Sequence, residues 1–377
     1  MPASLAAFAQ RGIVNLRAMA DQLVFGSRPL SRAVEAVVAA GGSNAREAKL
    51  VAENLVTANL TGHDSHGVGM IPRYVDSLLE GGLAVNQHPK IVFDGGAMVS
   101  LDGQVGYGQV IGLEAMEIGI ARAKQHGMCV MGLARAHHLC RIGQWAEQAV
   151  AAGLISLHFT NVISRSIVAP YAGADARFGT NPVTIGIPIP NEPPFILDMA
   201  TSAVAQGKIR VAHNKREKVS PDWLIDDQGN PTPDPRFGVI EPFGALRTFG
   251  LYKGYGLAVV CELLGGALTG GGTWHSDDRS KKRVWNGMLT ILIDPSRMGT
   301  TAVFGTETTA FLESLRQSPT APGFDKVRIA GEPERESRVK RERDGIPVDQ
   351  NTWEEIVNAG AKLKVEQAVL EKLVQGG

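Results

Sequence analysis

Gly62-His63-Asp64-Ser65-His66-Gly67-Val68 packs two imidazoles, a carboxylate and a hydroxyl between two glycines. A fold has little structural use for that mixture in so short a space. Chemistry has one: an imidazole titrates near neutral pH, a carboxylate can fix its tautomer, and glycine lets a ligand approach the backbone. The stretch follows a helical pattern in which Ala48, Val51, Leu55 and Ala58 form one apolar stripe, with Ser43 or Asn44 as the N-cap. The cluster therefore sits at a helix C-terminus. A second imidazole pair, His137-His138, comes later and is trailed by Arg141. Two such clusters predict one active site assembled from two distant segments.

Outward from that stretch, residues 31–40 read as a helix stopped by Gly41-Gly42, and residues 71–79 as a helix ended by Gly81-Gly82. The middle of the chain alternates. Strands are expected over residues 97–101, 128–134, 154–160, 183–188, 195–198 and 288–293. Helices are expected over 109–126, 143–152, 203–212 and 254–268, the last apolar enough to be buried. Residues 216–249 are rich in Pro, Asp and Gly and read as a long ordered loop. In the tail, residues 335–344 mix charges densely, as a solvated helix does, and 352–363 and 365–374 look like small closing helices. The pattern is α/β, with the helical N- and C-terminal parts packing together as one layer.

The bulk numbers narrow the partners. A chain of 377 residues can bury a sizeable core, and 44% apolar residues fit a folded domain. Lys+Arg and Asp+Glu are both 38, so the formal net charge is zero, which argues against nucleic acid as a partner. Three cysteines form no disulfide framework and suit a reducing cytoplasm. No apolar run is long enough to span a membrane. Residues 1–28 read as an N-terminal extension without the compact apolar core of a secretory signal.

Other motifs carry bland readings beside sharp ones. Gly106-Tyr107-Gly108 follows a strand, but Gly112 stands one residue too far for the dinucleotide fingerprint and no acidic residue ends the next strand. A tight strand-to-helix turn explains it. His63, Asp64 and His66, with His137 or His138, could hold a metal, yet no cysteine or carboxylate stands at ligand spacing to complete the set; no metal site is assigned. Cys129 and Cys261 read as core, and Cys140 as the one thiol beside a site. Gly179-Thr180-Asn181-Pro182 is a turn whose Asn181 could meet a ligand. Lys253 opens the most apolar helix, where a cation opposes the helix dipole unless an anion is held there.

These residues, in this order, resemble the malate/L-lactate dehydrogenase type 2 family. The likeness runs from about Ser31 onward. It rests on residues 62–68, the His138 segment, residues 179–182, Leu197-Asp198-Met199-Ala200-Thr201-Ser202 and Lys253-Gly254-Tyr255-Gly256-Leu257. It continues through Gly331-Glu332-Pro333-Glu334 and Arg343-Asp344-Gly345-Ile346-Pro347. Gly69-Met70-Ile71-Pro72 and Arg141-Ile142-Gly143 look most like its hydroxycarboxylate dehydrogenase B branch. The resemblance implies a non-Rossmann α/β fold with a mixed central sheet. It divides the chain into a discontinuous helical substrate-side domain (29–105 with 300–377) and an α/β dinucleotide-binding domain (106–299).

The same resemblance implies a homodimeric oxidoreductase that uses NAD, with NADP possible, on 2-hydroxy and 2-oxo acids. It makes His138 the general acid/base and puts His66 at the nicotinamide. It puts Ser65 and Tyr74 near the substrate; beside them, Arg141, three residues after His138, can pair bidentately with a substrate carboxylate, and Asn181 is the further substrate-side candidate from its turn. Cys140, Arg141, Ile142, the residues Ile196, Leu197, Asp198, Met199 and Ala200, Lys253, Asn286, and Gly331, Glu332, Pro333 and Glu334 would line the dinucleotide. Glu332 and Glu334, facing ribose hydroxyls, would favour NAD. Three departures stand out. Met70 occupies a position where many relatives carry a carboxylate-binding arginine, leaving that work to Arg141 or Arg73. Cys140 replaces a common glycine, and Tyr252 a common histidine. Two rivals remain: a cyclic imine reductase using the same proton donor, and a His-ligated metal hydrolase or lyase.

Overall fold

Two sets of helices from opposite ends of the chain bury one another. The computed structural model describes residues 22–275 and 283–375. Strand β1 (Gln22–Phe25) leads into α1 (Ser27–Ala40), α2 (Ala45–Leu60) and α3 (Ile71–Leu79). Asn44 is the N-cap of α2, its side chain accepting from Glu47 N. At the far end, α9 (Glu332–Asp344) runs into β11 (Ile346–Asp349), α10 (Gln350–Lys362) and α11 (Gln367–Gln375). β1 pairs antiparallel with β11. Leu30, Val37, Leu55 and Tyr74 share one buried cluster with Ile356 and Leu370, so the first core draws on both termini. The extension expected over 1–28 lies outside the described residues up to residue 21; beyond that the chain is already strand and helix.

Between these ends lies a seven-stranded sheet. Its strands are β2 (Lys90–Asp94), β3 (Met98–Asp102), β4 (Met128–His137), β5 (Ile155–Ile163), β6 (Val183–Ile187), β7 (Phe195–Met199) and β10 (Trp285–Ile293), in the order β2-β3-β4-β10-β5-β6-β7. Only β3–β4 is parallel, because α4 (Gly108–His126) supplies the crossover between them. Every other pair is antiparallel, so the sheet is mixed. α4 and α5 (Gly143–Ala151) cover it, and Leu101, Ile111, Met116, Leu133, Trp145 and Leu292 fill a second core. β10 enters between β4 and β5 from far along the chain. Trp285 pairs with His137 on one side and Ile163 on the other. Three strand ends thus meet where the second imidazole pair sits. β2 and β3 belong to this sheet, so it also draws on residues before 106.

Three elements differ from expectation. Residues 216–249 are not one loop: β8 (Leu224–Ile225) pairs with β9 (Ala245–Leu246), and Val219, Leu224 and Leu246 join a small core with Val168 and Ile209 from α6 (Gln206–Lys215). Strands of two residues are too short to show a period. The apolar helix begins as α7 (Tyr252–Val260) and continues π-helically over Cys261–Leu268. It buries a small-residue face (Gly254, Ala258, Cys261, Gly265, Gly266), whose π-helical part lies close against β5 and β10, and leaves Leu263 and Leu268 exposed. An evenly apolar sequence hides which face turns inward. Thr301–Arg316 forms α8, which the sequence reading did not assign.

Candidate active site

The stretch after α2 turns through a short 3₁₀ segment, Asp64–His66. Asn59 builds that turn: its amide donates to Asp64 Oδ1 (2.6 Å), and its Oδ1 accepts from Val68 N (2.8 Å). Arg341 of α9 closes on Asp64 from outside with both terminal nitrogens, at 2.6 and 3.0 Å. Asp64 is therefore an anchor of the turn. His63 faces Glu334 Oε1 (Nε2 at 3.3 Å), and Ser65 Oγ lies 3.0 Å from His66 Nδ1. The three candidate metal ligands thus turn to different partners. Among the described residues no group of three His, Cys, Asp or Glu side chains is arranged to hold a metal.

The second cluster meets the first across a narrow gap. The His66 and His138 rings lie 5.5 Å apart at 21°. His138 Nδ1 is 2.8 Å from Tyr74 Oη, which accepts from Gln109 Nε2 (2.8 Å). Gln109 is delivered by the Gly106-Tyr107-Gly108 turn. A Cβ on Gly108 would overlap the carbonyl oxygens of His137 and His138, so only glycine lets α4 start so close to that turn. Asn286 fixes the next residue: its Oδ1 accepts from Leu139 N (2.8 Å), and its amide donates to Asn161 O. Cys140 follows in the left-handed region (φ 62°), a cost for a residue with a Cβ. Its thiol donates to His66 O (2.9 Å), tying the two clusters together.

Arg141 is 2% exposed, and its Nη2 contacts both oxygens of Glu147 at 2.7 Å. Its Nε and Nη1 are buried without partners. Asp198, on β7, accepts from Gly143 N (2.8 Å) and from Thr184 (2.8 Å). A Cβ on Gly143 would meet both Arg141 Nη1 and Asp198, so this glycine keeps the crowded junction open. Behind Asp198 runs a polar row in strand register, Asp198–Thr184–His158–Thr290, across β7, β6, β5 and β10.

Burial dominates the electrostatics. It lowers His66 to about 4, helped by His63, and lowers His137 to about 3, helped by Arg73. It takes His138 well below its ordinary value, assisted by His66, His137 and Arg73. Tyr74 is raised well above the usual phenol value by burial, so its O–H stays available. The Cys140 thiol is pushed up to about 12 and is no nucleophile.

Ser65, His66, Tyr74, His138, Cys140, Arg141 and Asp198 are thus gathered, with Glu334 behind His63. Ile142 is the buried N-cap of α5. Gly331 caps α9 against β7, and Ile196 N donates to Ala330 O, which sets residues 331–334 alongside Ile196 and Leu197. Glu332 is drawn to Arg316 (3.3 Å) and to Ile329 N (3.0 Å). Pro333 lies in the first turn of α9. Met199 ends β7, and Ala200 precedes Thr201, whose carbonyl accepts from Phe249 N at the start of α7, where Lys253 is exposed. Asn181 is fully buried and committed to Val162 N, Ala258 O and Glu262. Sequence reasoning missed Gln109, Glu147 and the buried row. The row had a faint signal, since Ser156, His158 and Thr160 alternate as polar residues in an apolar strand.

Comparison with known proteins places this geometry. Residues 27–357 match the family model for malate/L-lactate dehydrogenase. The chain belongs to the malate/L-lactate dehydrogenase family. Hydroxycarboxylate dehydrogenase B of Escherichia coli (strain K12) is 44% identical over 354 residues, covering 93% of this chain and 97% of that protein. An E. coli structure assigned to malate/lactate dehydrogenase superposes with a TM-score of 0.90 at 43% identity, covering 94% of this chain and 99% of that one. The delta1-piperideine-2-carboxylate reductase of Pseudomonas syringae pvar. tomato has the same fold, with a TM-score of 0.79, 28% identity and coverage of 89% and 99%. Membership makes the chain an oxidoreductase of the hydroxy-acid dehydrogenase type, with the mixed-sheet fold of its relatives. Among the described residues no helix is long and apolar enough to cross a membrane.

Proposed function

We propose that this family member interconverts 2-hydroxy acids and 2-oxo acids with a nicotinamide dinucleotide, His138 serving as the general acid/base. The observation that carries the reading is the pair of facing rings, His66 and His138, with Tyr74 and Gln109 lined up behind one of them. When bound, the dinucleotide supplies or accepts the hydride. The residues fit such a group: buried, unpartnered nitrogens of Arg141 stand beside Gly143 and Asp198, where an anionic or polar ligand would satisfy them. Arg141, residues 196–200, Glu334 and Gly331 would hold it, His66 would face its nicotinamide, and Lys253 would border it at the end of β7. Glu334 disfavours a 2′-phosphate, which supports NAD over NADP.

The proton is handled at His138 Nε2, which has no hydrogen bond among the described residues, while Nδ1 is held by Tyr74. In the resting site His138 is neutral, the form that takes a hydroxyl proton. The chain behind it runs in two directions. As drawn, Gln109 donates to Tyr74 and Tyr74 to Nδ1. With the amide turned, Nδ1–H donates to Tyr74 and Tyr74 to Gln109 Oε1, which is unpartnered. Either way the ring is satisfied at Nδ1 with and without a proton there. Ser65, bonded to the His66 ring, borders the substrate; Asn181 reaches it only through the backbone it supports.

The domain reading follows. With β2 and β3 counted in the sheet, the helical layer (29–89 with 300–377) carries Ser65 and Tyr74 on the substrate side, and the α/β part (90–299) carries most of the dinucleotide side, completed by Gly331 and Glu334. The three free thiols suit a cytoplasmic enzyme. A cyclic imine reductase is the second reading, favoured by the likeness to the piperideine-carboxylate reductase. The test is oxidation of NADH and NADPH against pyruvate, oxaloacetate, phenylpyruvate, glyoxylate and delta1-piperideine-2-carboxylate. Turnover of an oxo acid is expected. Turnover of the imine alone favours the second reading, and loss of dinucleotide binding defeats both.

A further inference from the structure

Two arginines at the imidazole end of the sheet form no ion pair among the described residues. Arg73 precedes Tyr74 on α3, and Tyr74 is bonded to His138. Arg165 lies two residues beyond Ile163, the end of β5; Ile163 pairs with Trp285, and Trp285 with His137. Both residues thus flank the His137–His138 turn along the chain, and the charge of Arg73 is felt at His137, His138 and Arg165. Arg165 lies over the Phe243 ring at 4.0 Å, a contact that orients it without balancing its charge. Among the described residues neither arginine has a carboxylate partner within ion-pair distance, whereas Arg141, Arg122, Arg316 and Arg341 each have one.

The cost of this arrangement is visible in their acidity. Both side chains reach solvent, yet burial leads the lowering of each pKa, and Arg73 lowers Arg165 further; Asp76 and Glu80 near Arg73, and Glu241 near Arg165, offset this only in part. Arg73 also depresses His137 and His138, so its charge is felt at the proton-transfer group. Two like charges held together in a partly desolvated place call for an anion. The other candidates lie elsewhere: Arg141 pairs with Glu147 through Nη2 and has its unpartnered nitrogens beside Gly143 and Asp198, on the proposed dinucleotide side, and Met70 packs against the helical core.

We infer that Arg73 and Arg165 together clamp the substrate carboxylate, in place of an arginine at position 70. The inference rests on the proposed 2-hydroxy-acid reading of this site. It specifies the substrate end of the cleft: an acid whose carboxylate points toward the α3 and β5 edge while its carbonyl or hydroxyl meets His138. The arriving carboxylate would also cancel the field of Arg73 and raise the pKa of His138, readying it as the proton donor for reduction.

The test uses oxamate, a carboxylate with the shape of pyruvate that is not reduced, binding to the enzyme in the presence of NADH. Wild type, Arg73→Gln, Arg165→Gln and the double variant are compared by calorimetry, with NADH affinity measured separately by fluorescence. Each single change is expected to weaken oxamate about 10- to 100-fold and leave NADH affinity within about twofold, as loss of a charged hydrogen-bonding partner does. With a reducible oxo acid, KM should rise more than kcat falls, the sign of lost ground-state binding. Equal oxamate affinity in the double variant, or no oxamate binding to wild type, overturns the clamp. So does a loss confined to dicarboxylic substrates, which would move the arginines to a distal acid group. Failure of wild type to bind NADH would instead defeat the dehydrogenase reading beneath it.

Discussion

At His138 the surroundings set both the position and the charge of one imidazole. Tyr74 fixes Nδ1, Asn286 fixes the following backbone N–H, and His66 covers the ring. Burial and the charge of Arg73 keep it neutral until an anion arrives. Tyr74→Phe removes the hydroxyl from the chain and strands the Gln109 amide. Turnover should fall about 10- to 100-fold with little change in dinucleotide affinity, and the pH profile of kcat should move. A profile identical to wild type would take Tyr74 out of the proton chain. The two imidazole clusters were legible in the sequence because two pairs of histidines, each with charged neighbours, crowd two short segments. Gln109 was not. Its neighbours in sequence are helical and apolar, and its importance comes from a contact to Tyr74 that no local pattern announces. Asp64 illustrates the converse: a carboxylate beside two histidines invites a catalytic role, yet Arg341 and Asn59 occupy both its oxygens.

At the scale of elements, β4 and β5 end in or carry histidines that the sheet buries. His66, His137 and His158 are lowered to about 4, 3 and 4, chiefly by desolvation. The unfolded chain protonates them near pH 6.5, while the folded protein cannot until the pH is far lower. Between those values the unfolded state binds more protons, so stability rises with pH. The stabilisation is present above about pH 6.5 and is lost as pH falls toward about 4 for His66 and His158 and toward about 3 for His137, at up to ~1.4 kcal/mol per pH unit for each histidine. Urea midpoints at pH 7.5, 6.0 and 5.0 should fall in that order; a flat series would mean the histidines titrate normally. Period and caps revealed α2, α3 and the strands because their apolar residues recur on one face. The β8–β9 pair, α8 and the orientation of α7 escaped, since two-residue strands have no period and a helix apolar on all sides does not say which side is buried.

For the whole molecule, the joining of both chain ends in one core was foreseeable from their shared helical pattern, whereas the insertion of β10 between β4 and β5 was not. Strand order depends on contacts between distant segments. That insertion nevertheless builds the site, since it brings His137, Trp285 and Ile163 level. The outer edge of the sheet is apolar: Val92 is 60% and Phe93 56% exposed on β2. Exposed apolar edges favour pairing with another chain, and a second copy of this chain is the partner expected from the homodimer that the resemblance implies. Sedimentation velocity should give twice the monomer mass, and a monomer at micromolar concentration would contradict it. The central claim is that His138 moves the proton in a dinucleotide-dependent reduction. The most direct measurement is single-turnover reduction of the best 2-oxo acid by NADH in wild type and His138→Ala. A loss of about 10²- to 10⁴-fold with NADH affinity retained is the predicted result. Equal rates in the two proteins would contradict the account.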